Sequence, residues 1–195
     1  MEIEERNKNY KILLDLILKS RHIKTFSEVE ECKLYEIIDI MDKCGINDFT
    51  GYSKVGAGTY STVYKIGNKV IKIGLAKMNT EIIENSKVVK SYFKDNIALN
   101  VNGFKIVLGI EIQEFVKVVD NVEENKLYDI YKELRNENLI WTDVKSSNVG
   151  YINEDYVVID VDSIYRENDP KITWFTTLAE RFEERYKNGL SSKVL

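Results

Sequence analysis

The sequence predicts an α+β chain in three stretches: a helical extension over residues 1–50, a small antiparallel sheet with one helix over 51–116, and a reduced, mainly helical region over 117–195. Three observations lead there. Apolar residues recur at three- and four-residue steps in the first fifty positions, β-branched runs punctuated by glycine fill the middle, and helical spacing returns after Leu127.

The first helix runs from about Glu4 to Lys19, with Tyr10, Leu13, Leu14, Ile17 and Leu18 on one stripe. A second follows, with Ser27 as N-cap, Glu30 three residues on, a buried stripe of Leu34, Ile37, Ile38 and Met41, and Gly45 as its stop. These fifty residues carry no recognisable chemistry and are expected to serve packing or partner binding. Strand character then occupies Tyr52 to Val55, Thr62 to Ile66, Val70 to Ile73, Phe104 to Leu108 and Ile110 to Phe115, with a Gly67-Asn68 turn between the second and third runs. A helix is expected from about Thr80 to Phe93. Further on come a helix over Leu127 to Asn136, strands at Val149 to Ile152 and Tyr156 to Ile159, and a last helix from about Ile172 to Lys187. That helix carries Trp174, Phe175, Leu178, Phe182 and Tyr186 as its packing face.

Composition excludes several classes. A hydrophobic content of 44% over 195 residues supports a core and argues against wholesale disorder. With 28 basic and 32 acidic residues the chain has a net charge of −4, so there is no global positive field to hold nucleic acid as the main partner. Cys32, Cys44 and the single His22 cannot assemble a disulfide framework or an all-Cys/His zinc site, which fits a reducing cytosol. Acidic Glu2, Glu4 and Glu5 stand where a signal peptide would be basic, and Asp15 interrupts the apolar patch from Ile12 to Leu18. No membrane association is expected. The expected setting is cytoplasmic, or a host cytosol reached without a cleaved signal.

Between two predicted strands lies Gly56-Ala57-Gly58-Thr59-Tyr60-Ser61-Thr62-Val63. Glycines there let backbone N–H groups approach phosphate oxygens that a Cβ would keep away, although a plain hairpin needs glycine too. On the next strand, Val70-Ile71-Lys72-Ile73 sets one cation in an apolar run. Burying an unpaired ammonium is costly, so Lys72 needs an anion. A nucleotide phosphate would supply it, with a carboxylate from the expected 80–93 helix, Glu84 or Glu81, to steady the lysine. Where the strand Ile112-Gln113-Glu114-Phe115-Val116 turns polar, the Glu114 carbonyl and the Val116 amide could meet an adenine edge.

The most informative stretch is Trp141-Thr142-Asp143-Val144-Lys145-Ser146-Ser147-Asn148, followed by the apolar strand that ends in Asp160-Val161-Asp162. A carboxylate at the tip of a buried strand needs a cation or donors. Magnesium with a triphosphate would meet that need: Asn148 and Asp160 are hard oxygen ligands, Asp143 can accept a hydroxyl proton, and Lys145 can neutralise the transferred phosphoryl group.

In this order the residues resemble the protein-kinase superfamily, in a shortened bacterial or effector-like form. The Gly-rich loop is Gly56 to Val63, the strand lysine Lys72, the helix glutamate Glu81 or Glu84, the catalytic loop Asp143-x-Lys145-x-x-Asn148, and Asp160-Val161-Asp162 stands for D-F-G. The resemblance covers roughly Gly51 to Arg166. It implies a bilobal fold with a sheet-bearing N-lobe and a truncated helical C-lobe, ATP and magnesium as cofactors, and transfer of a phosphoryl group to protein Ser/Thr hydroxyls. Two departures matter. Trp141-Thr142 replaces the His-Arg pair, removing the arginine that reads a phosphorylated loop, and Asp162 replaces the glycine of D-F-G, as a second metal ligand or a surface carboxylate. Thirty-five residues follow Asp160, so a full substrate-docking lobe is not expected. Alternative expectations are a small-molecule kinase or another nucleotide-dependent transferase, and a kinase-scaffold regulatory or effector protein that binds or is activated by a protein partner through residues 1–50.

Overall fold

The computed structural model describes residues 1–20, 28–29, 31–58, 60–77, 79–101, 104–169 and 176–191. The chain divides into two compact units, Met1–Ile82 with Lys90–Phe115, and Ile83–Val89 with Val116–Leu195. Both are mixed α+β.

The first unit contains α1 (Ile3–Lys19), β1 (Glu28–Val29), α2 (Glu31–Lys43), β2 (Ser53–Ala57), β3 (Ser61–Ile66), β4 (Lys69–Leu75), β5 (Ser91–Val101) and β6 (Phe104–Glu114). Its strands form one antiparallel sheet in the order β1-β5-β6-β4-β3-β2. Gly67, at a φ of +58°, turns β3 into β4, a conformation that a Cβ disfavours. Alternation along the strands sends Tyr64, Ile66, Ile71, Ile73, Phe93, Ile97, Leu108, Ile110 and Ile112 into one core with side chains of α1 and α2.

The helices contribute Leu13, Leu16, Ile17, Leu34, Ile37, Ile38 and Met41, all fully buried. At about 1.5–3 kcal/mol for each buried side chain, the gross stabilisation is on the order of 10–20 kcal/mol, comparable to the whole net stability of a domain. Helices α1 and α2 are therefore part of the sheet's core and not a detachable arm. Buried Asn9 fastens α1 further: its amide donates to the Asn47 carbonyl at 2.7 Å, and its oxygen accepts the Phe49 N–H at 3.1 Å. Gly45, at a φ of +80°, follows α2 as its stop. The N-cap expected at Ser27, with Glu30, lies outside the described residues.

Two expectations are corrected between β4 and the end of β6. No helix spans 80–93: residues 79–90 are irregular apart from a turn and a single bridge, and β5 begins at Ser91. Two Asx turns compete with helical hydrogen bonds there, with Asn79 Oδ1 accepting the Glu81 N–H at 2.8 Å and Asn85 Oδ1 the Lys87 N–H at 2.7 Å. The runs 104–108 and 110–115 are one strand that passes through Gly109. A Cβ on Gly109 would stand 2.5 Å from the Leu75 carbonyl, so the glycine serves close strand approach and not a break.

The second unit contains β7 (Lys117–Val118), α3 (Glu124–Asn136), β8 (Leu139–Trp141), a 3-10 turn at Ser146–Asn148, β9 (Val149–Ile152), β10 (Asp155–Val158), a second 3-10 turn at Val161–Ser163, β11 (Ile164–Arg166) and α4 (Thr176–Ser191). Its strands form two small antiparallel sheets, β10-β9-β7 and β11-β8. Instead of mainly helical, this unit is mixed. Leu127, Ile130, Tyr131 and Leu134 of α3 share a core with Trp141, Val149, Val157, Val158, Val161, Ile164 and, from α4, Ala179 and Phe182. Val88 and Val89 join that core, and the Val89 N–H donates to the Val158 carbonyl at 2.9 Å. On the packing face expected for the last helix, Phe182 is buried and Tyr186 stacks on Tyr128 at 3.9 Å between ring centroids. Trp174 and Phe175 lie outside the described residues. Among the described residues, no helix is long and apolar enough to cross a membrane.

Candidate functional site

The Gly-rich loop is the β2–β3 hairpin. The Gly58 N–H donates to the Ser61 carbonyl and the Leu75 N–H to the Tyr60 carbonyl, each at 2.9 Å. Neither Gly56 nor Gly58 has a positive φ. A Cβ on Gly58 would meet nothing within 4 Å, and one on Gly56 only Val63 at 3.9 Å. Among the described residues, neither a positive φ nor crowding thus requires glycine at these two positions. Gly74 is different, because a Cβ there would lie 2.0 Å from the Tyr60 carbonyl, so β4 packs tightly under the loop. Ala57 ends β2, Tyr60 is exposed, Ser61 begins β3, and Thr59 lies outside the described residues.

Lys72 sits in the middle of β4 with only 9% of its surface exposed. Antiparallel register sets Val63, Lys72, Glu111 and Lys94 side by side across β3, β4, β6 and β5. Directly opposed residues share a face, so this row lies on the side of the sheet turned away from α1 and α2. Glu111 is fully buried. One of its oxygens accepts the Ser91 hydroxyl at 3.1 Å and the other the Lys77 ammonium at 3.3 Å.

Glu81 and Glu84, the carboxylates expected from a helix, are exposed and occupy irregular backbone, with Glu84 in the segment that belongs to the second unit. The Asx turns that remove the helix remove the shared face on which the two were placed. Glu114 ends β6, and its carboxylate is held by Lys69 at 3.1 Å and by the Tyr92 hydroxyl at 2.7 Å. The Phe115 N–H donates to the Asn68 carbonyl at 2.9 Å, and buried Val116 opens the second unit.

In the second unit the chain leaves β8 and turns through Asp143, Lys145 and the 3-10 turn that ends at Asn148. The Asn148 amide nitrogen donates twice to Asp143, to its carbonyl at 3.0 Å and to carboxylate Oδ2 at 2.8 Å. Lys145 Nζ reaches the same Oδ2 at 2.5 Å. Asn148 is buried, whereas Asp143 and Lys145 have about half of each side chain exposed, at 48% and 51%. A fixed buried amide therefore orients a carboxylate that faces water.

Asp160 is brought to the same loop by backbone. The Ile159 N–H donates to the Asn148 carbonyl at 2.9 Å, so the end of β10 is tied to the turn that carries Asn148. The Asp160 carbonyl accepts the Ser163 hydroxyl at 2.6 Å and N–H at 3.1 Å, closing the second 3-10 turn with Asp162 inside it. Burial pushes the Tyr165 phenol up, and the carboxylates of Asp162, Asp160 and Asp169 add to that shift. Among the described residues, no three His, Cys, Asp or Glu side chains form a group that could hold a metal ion. Thr142 is fixed to the backbone: its N–H and hydroxyl both donate to the Ser163 carbonyl, at 2.8 and 2.9 Å.

Local sequence spacing does not bring Glu111, Ser91 and Lys77 together; strand register does. The available signal was Ile110-Glu111-Ile112, a carboxylate alone in an apolar strand that mirrors Lys72 alone in β4.

No protein-family model matches the sequence, and comparison with curated proteins gives no match. Among solved structures the chain is similar to the L. pneumophila effector kinase LegK7 in complex with human MOB1A. The TM-score is 0.40 and the identity 10%, over 84% of this chain and 40% of that one. The present chain thus spans about two fifths of the length of that chain.

Proposed function

We propose that this protein is an ATP- and magnesium-dependent phosphotransferase of the protein-kinase type that phosphorylates serine or threonine hydroxyls of a protein. The observation that carries this reading is the bonded group Asp143–Lys145–Asn148, joined through the Ile159 N–H to the strand end that bears Asp160.

Each residue has a role in keeping with its surroundings. Asp143 is exposed yet oriented, which suits a group that receives an acceptor hydroxyl. As the hydroxyl oxygen bonds to the γ-phosphorus and the bond to the departing diphosphate breaks, the hydroxyl proton passes to the Asp143 carboxylate. Lys145, beside that carboxylate, offsets negative charge on the transferred group. The Asn148 nitrogen is committed to Asp143, which leaves its amide oxygen as the atom to offer a cation, with Asp160 and Asp162 as further oxygen donors. These are hard ligands and fit magnesium better than a softer metal. Bound magnesium and ATP would supply the phosphoryl group and the charge neutralisation that its transfer needs. Lys72 and the Gly56 to Val63 loop would hold the phosphates, and the strand end from Glu114 to Val116 the adenine.

Incubation with γ-labelled ATP and magnesium, alone and with a generic protein acceptor, tests the reading. Label is expected on protein from the wild type and absent from Asp143→Ala and Lys72→Ala. Label that appears only on an added metabolite would place the acceptor among small molecules. No label on the protein or on any acceptor would contradict phosphotransfer.

A further inference from the structure

A lysine that binds phosphates from within a sheet needs a carboxylate to fix its ammonium, and the helix expected to supply one is absent. We propose that Glu111, on the neighbouring strand β6, is the positioning residue for Lys72, doing from inside the sheet what a helix carboxylate was expected to do. This inference rests on the nucleotide-binding reading given above.

Three observations carry it. Glu111 is the direct cross-strand neighbour of Lys72, and opposed residues place their Cβ atoms about 4.5–5.5 Å apart on the same face. Its carboxylate is fully buried, a costly placement that persists only where cations and donors compensate it. Both of its oxygens are also engaged, by Ser91 from β5 and by Lys77 from just beyond β4, so the carboxylate cannot swing away. Lys94 flanks it on the opposite side from Lys72 in the same register row. The row Lys72–Glu111–Lys94 therefore has its one carboxylate between two cations, on the face of the sheet that the helical extension does not cover.

A lysine held by a neighbouring strand differs from one held by a mobile helix in one consequence. Pairing on adjacent hydrogen-bonded strands is set when the sheet forms, so Lys72 is aligned without any later movement of a helix.

The test measures ATP affinity by calorimetry in magnesium, together with the melting temperature without ATP, for wild type, Lys72→Met, Glu111→Gln and the double variant. Glu111→Gln is expected to weaken ATP binding by about tenfold to a hundredfold, the scale of a misplaced binding group. The double variant is expected to bind no more weakly than Lys72→Met alone, because the two residues act as one unit. Glu111→Asp is expected to recover part of the loss. ATP affinity unchanged in Glu111→Gln but lost in Lys72→Met overturns this inference alone, as do strictly additive losses in the double variant. No ATP binding by wild type, or affinity untouched by Lys72→Met, overturns the nucleotide reading and this inference with it. Should Glu111→Gln fail to fold, Ser91→Ala, which removes only the orienting hydroxyl, is expected to weaken ATP binding by about threefold to tenfold, and an unchanged affinity there overturns the proposal.

Discussion

Replacing Asn148 by alanine isolates the joint on which the candidate site is built. The substitution removes two hydrogen bonds from the Asn148 amide, one to the Asp143 carbonyl and one to its carboxylate. A bond to a neutral carbonyl contributes about 1 kcal/mol, and one to a carboxylate about 1.5–3 kcal/mol when well buried. Asp143 is half exposed, so the second bond belongs near or below the low end of that range, and the freed oxygens regain water instead of being stranded. The expected loss is about 2 kcal/mol. For a chain of this size each kcal/mol shifts the melting temperature by roughly 2–4 °C, which gives a fall of about 4–8 °C. The assay is thermal unfolding followed by circular dichroism, without nucleotide or magnesium, so that only the protein's own bonds are read. Ser147→Ala, one residue away and exposed, is the control and should stay within about 1 °C. Equal melting of Asn148→Ala and wild type would refute the view that this amide holds Asp143 in place.

Three further outcomes follow from the same geometry. Gly150→Ala places a Cβ 2.5 Å from Val116 Cγ1 and 2.9 Å from Ile159 Cγ2, and should destabilise by about 1–3 kcal/mol in urea unfolding; an unchanged midpoint would show that β9 has slack there. The Asp48 carboxyl is held at about 2, mainly by the Thr50 hydroxyl and then by the Thr50 N–H, so Thr50→Val should raise its NMR titration midpoint part of the way towards 3.8, and no movement would contradict that cause. Asp155 is held below its ordinary range first by its hydrogen bond from Lys87. Because the folded pKa is the depressed one, this stabilisation is present above about pH 4 and lost as pH falls through the folded value. Lys87→Ala should therefore be less stable than wild type near neutrality, with the gap narrowing as pH falls through the folded value, and a gap that is constant with pH would contradict the pairing.

Much of this structure is legible in the sequence, for local reasons. The stripe Leu13, Ile17, Leu34, Ile37, Ile38 and Met41 has helical spacing and is buried, and the β3–β4 hairpin follows from Gly67-Asn68 between two β-branched runs. The loop from Asp143 to Asn148 closes on itself within six residues, so spacing alone brings its side chains together. What escaped depends on partners distant in sequence. Residues 80–93 have helix-compatible spacing, but Asn79 and Asn85 cap local turns, and Val88 and Val89 are claimed by β10. Strands β8 and β11 are three residues each and exist because they pair with each other. Glu111 is not legible for a related reason: its neighbourhood with Lys72 comes from strand register, which local spacing does not encode.

The central claim is that the oxygen donors around Asn148 and Asp160 bind ATP together with magnesium, and a thermal-shift comparison tests it most directly. A ligand that binds only the native state at about a hundred times its dissociation constant adds about 2.7 kcal/mol. The account predicts a rise of roughly 5–10 °C with ATP and magnesium, little or none with ATP and chelator, and loss of the rise in Asp160→Ala. A wild type whose melting temperature is the same with ATP and magnesium as without them would contradict the account.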